Sequence, residues 1–458
     1  MFLAVTLLII IYLRSIWDTI LLCSNITWLF KNNNQKLADF TDVPFINIVI
    51  PVLREQNIIL ETVRHFEQIK YPKNKYKIYI ITTEKESIEK SNLDKISSLI
   101  KDVSLNQSLN YIKSKYLGLL SLELLEKMFN DYANKAIANL HDYILEIYNH
   151  YPITKEILEK DIKHHPNTEI INYPNNNETA TIQLNYGLEQ IYQKSSKDSW
   201  VCVYNADSRP NLDTFQAVAQ TKTKYEVNYK KSANIIQQSS LFTLNLSKIR
   251  NNLPGFLLQA GGLYQTRFTL IRELFLFRSQ SFFSNVKSNK FFDFFFKTQS
   301  SYCVGHGMFI NFDYFKSRNF YPVETLNEDV PFGYYTCVMN EPIIPLQLLE
   351  NSDTPITISS LINQKTVWFN PFLELITCWK QATKQKKYIS LALLNIFTMR
   401  FAILGIVWLL QSGVLIYPII YFVITKSLIG IIFWIIALGI YWNLSILIII
   451  QYLPRLKN

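Results

Sequence analysis

Apolar residues are concentrated at the two ends of the chain, whereas the middle alternates between apolar and polar positions. Residues 2–13 are apolar, Arg14 and Asp18 interrupt the run, and residues 19–30 resume it. A spanning helix needs about 20 apolar residues, so this run fits one span if Arg14 and Asp18 pair with each other. A signal peptide is the alternative, but no A-x-A-like cleavage site follows. We therefore predict an uncleaved membrane anchor over residues 1–31.

The C-terminal part of the chain predicts further membrane helices. Residues 388–410 have about the length of one span and contain Arg400, and residues 414–450 are almost entirely apolar. An arginine inside a span usually pairs or faces the protein interior. The second run is too long for one helix and short for two. The pattern predicts a transmembrane region over residues 388–452 with two spans, or alternatively three.

Basic residues predict the orientation of these spans. Lys31 and Lys36 follow the first span, and Arg455 and Lys457 follow the last. Positive residues favour the cytoplasmic side of a membrane. Because Asn, Lys and Ile are abundant, as in proteins from AT-rich bacterial genomes, we expect a multi-pass protein of the bacterial inner membrane with a cytoplasmic body.

The body, residues 40–385, alternates short β-rich runs with segments of helical spacing, which is typical of an α/β fold. The expected strands cover residues 45–52, 76–82, 170–174, 200–204 and 234–238. Residues 88–166 differ, because Leu, Ile, Lys, Asn and Glu recur there at helical spacing. They predict a helical insertion that either binds a protein partner or is inert packing.

The central strand carries the first candidate for chemistry. The apolar run from Trp200 to Tyr204 ends abruptly in Asn205, Ala206 and Asp207, and Pro210 is expected to stop further strand pairing. Ligands of open α/β sheets bind at the carboxyl ends of strands, and carboxylates there suit a divalent cation. Asp207 is therefore a candidate metal ligand, and a polar turn after a core strand is the alternative.

Two later stretches add further candidates. His306 lies between two glycines in a β-rich run, and glycines allow a ligand to approach the backbone closely. Glu328 and Asp329 open a helix that continues through Val338. An acid in a first turn often serves only to cap the helix, so Asp329 has either a capping or a chemical role.

Composition narrows the class of partner. Hydrophobic residues make up 49% of the 458 positions, and 46 basic against 36 acidic residues give a net charge of +10. Without zinc-finger spacing or an RNA-binding aromatic motif, this excess predicts a membrane surface or an anionic substrate, and no nucleic acid. An aromatic run over residues 372–379, followed by lysines, suits the headgroup layer of a bilayer. The five cysteines lie far apart without a C-x-x-C pair, which predicts neither disulfides nor a zinc site.

Taken in order, these motifs resemble the inverting, membrane-bound nucleotide-sugar glycosyltransferases of family 2, which include the cellulose, chitin and hyaluronan synthases. The resemblance covers roughly residues 45–380 without the insertion. The matching stretches are P-x-x-x-E at Pro51 to Glu55, the acid Glu84 after the second strand, the L-N pair ending at Asn185, the D-x-D position at Asn205 to Asp207, the E-D pair Glu328–Asp329, and Q-x-x-R-W at Gln364 to Trp368.

The resemblance implies a GT-A fold, which is a Rossmann-like mixed sheet flanked by helices. It also implies roles for the matched residues. Donor or nucleotide binding falls to Pro51, Glu55, Glu84, Asn185, Asn205 and Asp207. Mg²⁺ or Mn²⁺ would bind Asp207 and Asn205, Asp329 would be the catalytic base beside Glu328, and the acceptor would contact His306, Gln364 and Trp368. Trp368 is alternatively an aromatic residue of the membrane interface.

Three positions depart from the family pattern. Asn205 replaces an aspartate, Ala180 a lysine and Val367 an arginine. The expected function is transfer of a sugar from a nucleotide-sugar, a UDP-sugar for preference, to a lipid-linked or surface-glycan acceptor at the bilayer. The departures motivate the alternative of a degenerate member that binds sugar nucleotide and acts as a regulator or scaffold in glycan synthesis.

Overall fold

The computed structural model describes residues 1–31, 43–91, 134, 142, 146, 152–175, 179–287, 289–386 and 388–457. Most of the predicted insertion, the boundary at residue 40, and Lys36 lie outside the described residues. The strands are β1 (Ile46–Pro51), β2 (Tyr76–Thr83), β3 (Thr168–Tyr173), β4 (Trp200–Val203), β5 (Arg209–Pro210), β6 (Ile235–Gln237), β7 (Ser240–Phe242), β8 (Met308–Asn311), β9 (Ile343–Pro345) and β10 (Glu350–Ser352).

Helices occupy most of the remaining described chain. They are α1 (Phe2–Phe30), α2 (Ile59–Glu67), α3 (Glu84–Ser91), α4 (Thr154–Asp161), α5 (Ala180–Lys194), α6 (Thr214–Tyr229), α7 (Leu253–Phe268), α8 (Leu274–Asn285), α9 (Lys290–Phe296), α10 (Phe312–Ser317), α11 (Asp329–Val338), α12 (Ile358–Leu373), α13 (Leu375–Lys384), α14 (Leu391–Ile424), α15 (Leu428–Leu438) and α16 (Ser445–Lys457). Turns of π-helix join α7 to α8 and α15 to α16, over Thr269–Glu273 and Gly439–Leu444.

The main sheet has seven strands in the order β3-β2-β1-β4-β8-β6-β9. Neighbours pair in parallel except at β8, which runs antiparallel to both β4 and β6. The predicted α/β class, with a mixed sheet flanked by helices, is thereby confirmed. The strand from Trp200 lies at the centre of the sheet, as its continuous apolarity predicts.

Both faces of the sheet are buried, because alternate side chains of each strand enter two different cores. Val49, Val201 and Ile310 point into a core with α5, α11, α13 and the start of α14. Ile48, Cys202 and Phe309 point into the opposite core with α2, α4 and α6. Helix α4, the end of the predicted insertion, thus packs onto the sheet through Leu158.

A second, three-stranded sheet has the order β5-β10-β7. Arg209 and Pro210 pair antiparallel with β10, so the expectation that Pro210 stops pairing is wrong. Pro210 is tolerated because β5 is an edge strand, where a missing N–H leaves no ladder bond unmade. This small sheet extends the carboxyl side of β4 and was not predicted from the sequence.

Three helices are long and apolar enough to cross a membrane, namely Phe2–Phe30, Leu391–Ile424 and Leu428–Leu456. Arg14 pairs with Asp18, with 2.9 Å between Nε and Oδ1, as the one-span interpretation requires. Arg400 faces the protein, where its Nη1 donates to the Thr298 carbonyl at 3.1 Å. The apolar ends of the chain are therefore helices that accommodate their charges by pairing.

Candidate active site at the carboxyl edge of the sheet

The turn after β4 presents Asn205 and Asp207 at the carboxyl edge of the sheet. Asn205 is exposed and Asp207 is half-buried. Hydrogen bonds to its backbone hold the turn in place, because the Ala206 carbonyl accepts from Thr62 Oγ1 and, at 3.2 Å, from Arg209 Nη1. Arg209 therefore supports the turn through the backbone, and the carboxylate of Asp207 forms no ion pair with any described residue.

Negative charge is concentrated around Asp207. Burial, and then the charge of Glu350, raises the pKa of Asp207, while His306 opposes the shift. Burial and the nearby charge of Asp207 raise the pKa of Asp353, which follows β10, to about 6. The edge of the sheet is thus electrostatically suited to a cation.

Glu55 lies close to Asp207 on the segment that follows β1. Its backbone N–H donates to Thr154 Oγ1 at 3.0 Å, and Glu86 accepts from the Thr154 N–H at 2.9 Å and from the Arg54 N–H at 3.2 Å. Burial, followed by the charges of Asp207 and Glu86, raises the pKa of Glu55 to about 8. Helix α4 therefore fixes the loop on which Glu55 stands.

The loop before β8 carries His306 into the same region. Its Nδ1 lies 2.7 Å from Glu350 Oε1 and 3.0 Å from Ser240 Oγ, and Ser240 Oγ donates to the same carboxylate at 2.8 Å. Gly307 has φ +64°, and a Cβ there would lie 2.9 Å from Gln238 Cβ. Glycine is therefore required for the turn that places His306 against the small sheet.

The contact with Glu350 favours the protonated form of His306. Burial alone would lower its pKa, but Glu350, with Glu273 and Asp207 nearby, raises the pKa of His306 to about 9. Its Nε2 makes no hydrogen bond with the described part of the chain. When the ring is protonated, its Nε2–H is thus left without a partner among the described residues.

Glu328 and Asp329 reach the edge from the start of α11. Asp329 Oδ1 accepts from the Val330 N–H at 2.7 Å, so part of the predicted capping role is present. The other oxygen faces the glycine loop, since a Cβ on Gly305 would lie 3.1 Å from Asp329 Oδ2 and 3.5 Å from Glu328 Oε1. Burial raises the pKa of both carboxyls, and their mutual repulsion adds to that of Glu328.

Helix α12, which carries Gln364 and Trp368, lies beside the small sheet and the start of α11. The Trp368 ring packs edge-on against Phe242 at the end of β7, with 5.9 Å between centroids. Asn327, one residue before the acid pair, donates to the Val367 carbonyl at 2.8 Å. The helix of the Q-x-x-R-W position is thus attached to both the small sheet and the acid pair.

Lys365 on the same helix was not singled out by the sequence. Its Nζ lies 4.1 Å above the Trp368 ring and donates to Gln265 Oε1 at 2.8 Å. Burial lowers the pKa of Lys365 to about 8. It supplies a cation two positions from Val367, where the family pattern expects an arginine.

Three predicted donor residues are occupied by structural contacts. Glu84 binds Lys155 Nζ at 2.8 Å and accepts from Asn172 Nδ2 at 2.6 Å. The amide of Asn185 is bonded at both ends to the Tyr321 backbone, at 2.8 and 3.1 Å. Pro51 completes β1 opposite Ile81. Their roles in donor binding stay predictions.

Glu350 and Ser240, like Lys365 and Asp353, are residues near the site that the sequence did not indicate. Glu350 and Ser240 lie on three-residue strands, which are too short for a period of two to show. The sequence feature that could have indicated Ser240 is the serine pair Ser239–Ser240, which directly follows the predicted strand ending at Gln238.

The residues present fit a divalent cation that keeps most of its own water. Among the described residues, no group of three or more His, Cys, Asp or Glu side chains could hold a metal ion. Mg²⁺ is commonly bound by one or two carboxylates together with waters and substrate phosphates. The half-buried carboxylate of Asp207 and the exposed amide of Asn205 provide ligands of that kind.

No protein-family model and no curated protein matches the chain. Among solved structures, the chain is similar to residues 1–349 of S. aureus TarS, at 10% identity and a TM-score of 0.41 over 87% of this chain and 80% of that one. It is also similar to the mannosyltransferase PcManGT of Pyrobaculum calidifontis, in complex with GDP-Man and Mn²⁺, at 11% identity and a TM-score of 0.41 over 96% of this chain and 99% of that one. These values are too low to carry a functional conclusion.

Proposed function

We propose that this chain is a membrane-anchored, inverting glycosyltransferase of the GT-A fold. It transfers a sugar from a nucleotide-sugar, a UDP-sugar for preference, to a lipid-linked or surface-glycan acceptor. The body would face the cytoplasm at the bacterial inner membrane. The three apolar helices support the membrane setting, and the acids at the carboxyl edge of the sheet support the chemistry.

One observation carries this proposal. Asp207 follows β4 and Asp329 opens α11, and both lie within electrostatic reach of the His306 imidazolium. The fold thereby gathers acids and a cation from distant parts of the sequence at the edge where α/β sheets bind ligands. Transfer from a nucleoside diphosphate needs this combination of charge neutralisation and a base.

Asp207 and Asn205 would hold the divalent cation, which neutralises charge on the departing diphosphate. Glu55 lies within electrostatic reach of Asp207. The imidazolium of His306 adds a positive charge at the site, since its Nε2–H is free to donate to an anionic oxygen.

Asp329 would act as the general base. The acceptor hydroxyl oxygen attacks the anomeric carbon, its proton passes to Asp329 Oδ2, and the bond from the anomeric carbon to the diphosphate oxygen breaks. Attack opposite the leaving group inverts the anomeric centre. A positioned base of this type contributes about 10²–10⁴-fold to the rate.

The acceptor would approach along α12. Trp368 offers a ring for a sugar face and Gln364 a hydrogen bond, and Lys365 offers a charge in place of the arginine absent at position 367. Because α12 also contacts α14, a candidate membrane span, an acceptor held in the bilayer is favoured over a soluble one.

The test is UDP release by detergent-solubilised full-length protein with native lipid extract, Mn²⁺ or Mg²⁺, and a panel of UDP-sugars. Asp207→Ala and Asp329→Asn are compared with Asp198→Asn, which removes an exposed carboxylate at φ 62°, a conformation that asparagine tolerates. We expect metal-dependent release by the wild type and by Asp198→Asn alone.

Equal release by all four proteins would show that the assigned site is wrong. Binding of a UDP-sugar without turnover by any of them would instead favour the regulator that the departures at Asn205, Ala180 and Val367 suggest.

A further inference from the structure

Helix α1 carries a buried carboxylate that binds three arginines. Asp18 is 1% exposed, and its Oδ1 lies 2.9 Å from Arg14 Nε and 2.5 Å from Arg272 Nη2. Its Oδ2 lies 3.1 Å from Arg267 Nη2. We refer to these four residues as the Asp18 cluster. One carboxylate faces three guanidinium groups, so the cluster has an excess of two positive charges.

Arg267 is buried and bonds to residues of two other helical segments. It is 4% exposed, its Nε donates to Ser445 Oγ at 2.7 Å and its Nη2 donates to the Tyr441 carbonyl at 3.1 Å. Its guanidinium also lies 4.5 Å from the centre of the Tyr441 ring. The excess charge that can attract a ligand therefore belongs to Arg14 and Arg272.

Arg14 and Arg272 keep free N–H groups. Both converge on the same oxygen of Asp18, which brings the two guanidinium groups close together. Arg272 Nε is buried without a hydrogen-bond partner, and the side chain of Arg14 is 42% exposed with only its Nε bonded, within the part of the chain that the structure describes. Paired guanidinium forks with free N–H groups suit the oxygens of a phosphate.

The Asp18 cluster lies near the end of the apolar surface of α1. Apart from Arg14 itself, the exposed side chains on this helix are apolar up to Ile20, and from Cys23 to Phe30 the exposed positions are Cys23, Ser24 and Thr27. Arg14 is six residues before Ile20, which corresponds to about 9 Å along the helix. Trp17, which is 48% exposed, stands beside it, and tryptophan is enriched at the membrane–water interface.

We propose that Arg14 and Arg272 form a binding site for the phosphate of a lipid headgroup. The excess of two charges matches a phosphate monoester or a diphosphate, whose dianion would complete the neutralisation that Asp18 begins. The position of the Asp18 cluster along the apolar surface of α1 suits a lipid ligand. The guanidinium of Arg14 can extend to the headgroup layer while its alkyl part stays among apolar groups. This site depends on α1 and on the π-helical turn between α7 and α8, and it stands independently of the transferase proposal.

The probes are dihexanoyl phosphatidate, a phosphate monoester lipid, dihexanoyl phosphatidylcholine as its zwitterionic counterpart, and inorganic phosphate. Each is titrated into detergent-solubilised full-length protein, with Trp fluorescence and thermal stability as readouts. The variants are Arg14→Gln, Arg14→Lys and Arg272→Gln. Lys31→Gln is the control, because it removes one exposed positive charge at the end of the same helix.

We expect phosphatidate to bind the wild type and Lys31→Gln alike, and to raise their melting temperatures. Arg14→Gln and Arg272→Gln should each weaken binding about tenfold or more, and Arg14→Lys should also weaken it, because a lysine keeps the charge without the fork. If Arg272→Gln does not fold, the two variants at the half-exposed Arg14 still decide the question.

Phosphatidylcholine binding as tightly as phosphatidate, or unchanged binding in both Arg14 variants, would overturn the site. Inorganic phosphate binding as tightly as phosphatidate would support the anion site and assign it to a soluble phosphate instead of a lipid. Because no donor sugar is used, the outcome does not depend on transferase activity.

Discussion

At the scale of single residues, the proposed chemistry depends on carboxyls whose pKa values are raised by burial. Glu328 and Asp329 are adjacent in sequence and close in space to Gly305, so each makes ionisation of the other less favourable. A base with a raised pKa is protonated at a pH where an ordinary aspartate is ionised. As the pH is lowered, the reaction should therefore lose activity at a higher pH than it would with a surface aspartate as the base.

We predict that kcat/KM falls about tenfold per pH unit below the pKa of Asp329, which burial raises above its ordinary value. Glu328→Gln removes the neighbouring charge and should move this acid limb to lower pH. The measurement is a pH–rate profile of UDP release. An acid limb that stays in place in Glu328→Gln would show that the pair does not titrate together.

The pair of His306 and Glu350 gives a second prediction at this scale. His306→Ala leaves Glu350, which is 0% exposed, without its cation, and should cost about 3–5 kcal/mol of the free energy of unfolding. The double variant His306→Ala/Glu350→Gln should recover most of that loss.

The stabilisation that the His306–Glu350 pair gives the folded protein depends on pH in a defined direction. Since the folded-state pKa of His306 is raised to about 9, its stabilising contribution is complete below the unfolded value of about 6.5 and is lost as the pH rises through 9. Chemical unfolding at pH 6.5 and pH 10 measures this. If the His306–Glu350 pair stabilised the protein equally at pH 6.5 and pH 10, the imidazole would be neutral in the folded protein.

At the scale of elements, the site depends on how closely α11 packs against the segment before β8. Gly333 lies in α11, and a Cβ there would stand 2.1 Å from the Cys303 backbone nitrogen. A backbone atom cannot give way as a flexible side chain can. The acid pair at the start of α11 is thus positioned by a glycine several residues later in the helix.

We predict that Gly333→Ala lowers the stability by about 1–3 kcal/mol or more, because the helix must shift outward. Gly413→Ala is the matched helical control, since nothing lies within 4 Å of its Cβ position, and it should be neutral or stabilising by up to about 1 kcal/mol. Thermal unfolding in detergent compares the two. Equal melting temperatures would contradict the close packing of α11.

At the scale of the whole molecule, the membrane helices and the body share their cores. Leu394, Phe397 and Phe401 of α14 belong to the same buried cluster as Val201 of the central strand. Leu22 and Ile26 of α1 share a buried cluster with Leu241 of β7 and with Leu349, which directly precedes β10. The candidate spans therefore contribute to the fold of the body as well as to membrane attachment.

An odd number of spans would place the two chain ends on opposite sides of the membrane. One span before the body and two after it predict that a reporter before Met1 lies outside and that a reporter after Asn458 lies with the body in the cytoplasm. Paired fusions of a fluorescent protein and a periplasmic phosphatase test this. The same side for both ends would show that one of the three helices does not cross.

Local patterns along the chain predicted the α/β class and the long apolar helices at both ends. They also identified the central strand with Asp207 after it and the helix that begins at Asp329. These follow from periodicity and from abrupt changes between apolar and polar residues, which are local properties of the chain.

Which side chains meet could be read only from how the elements pack in three dimensions. The small sheet with Glu350 and Ser240 is made of strands too short to have a readable pattern, and its register exists only through pairing with distant partners. Likewise Asp18 was expected to pair with Arg14, but its contacts with Arg267 and Arg272, about 250 residues away, depend on how the helices pack. Interactions between remote segments leave no local signature, because they arise from the three-dimensional arrangement and not from neighbouring residues.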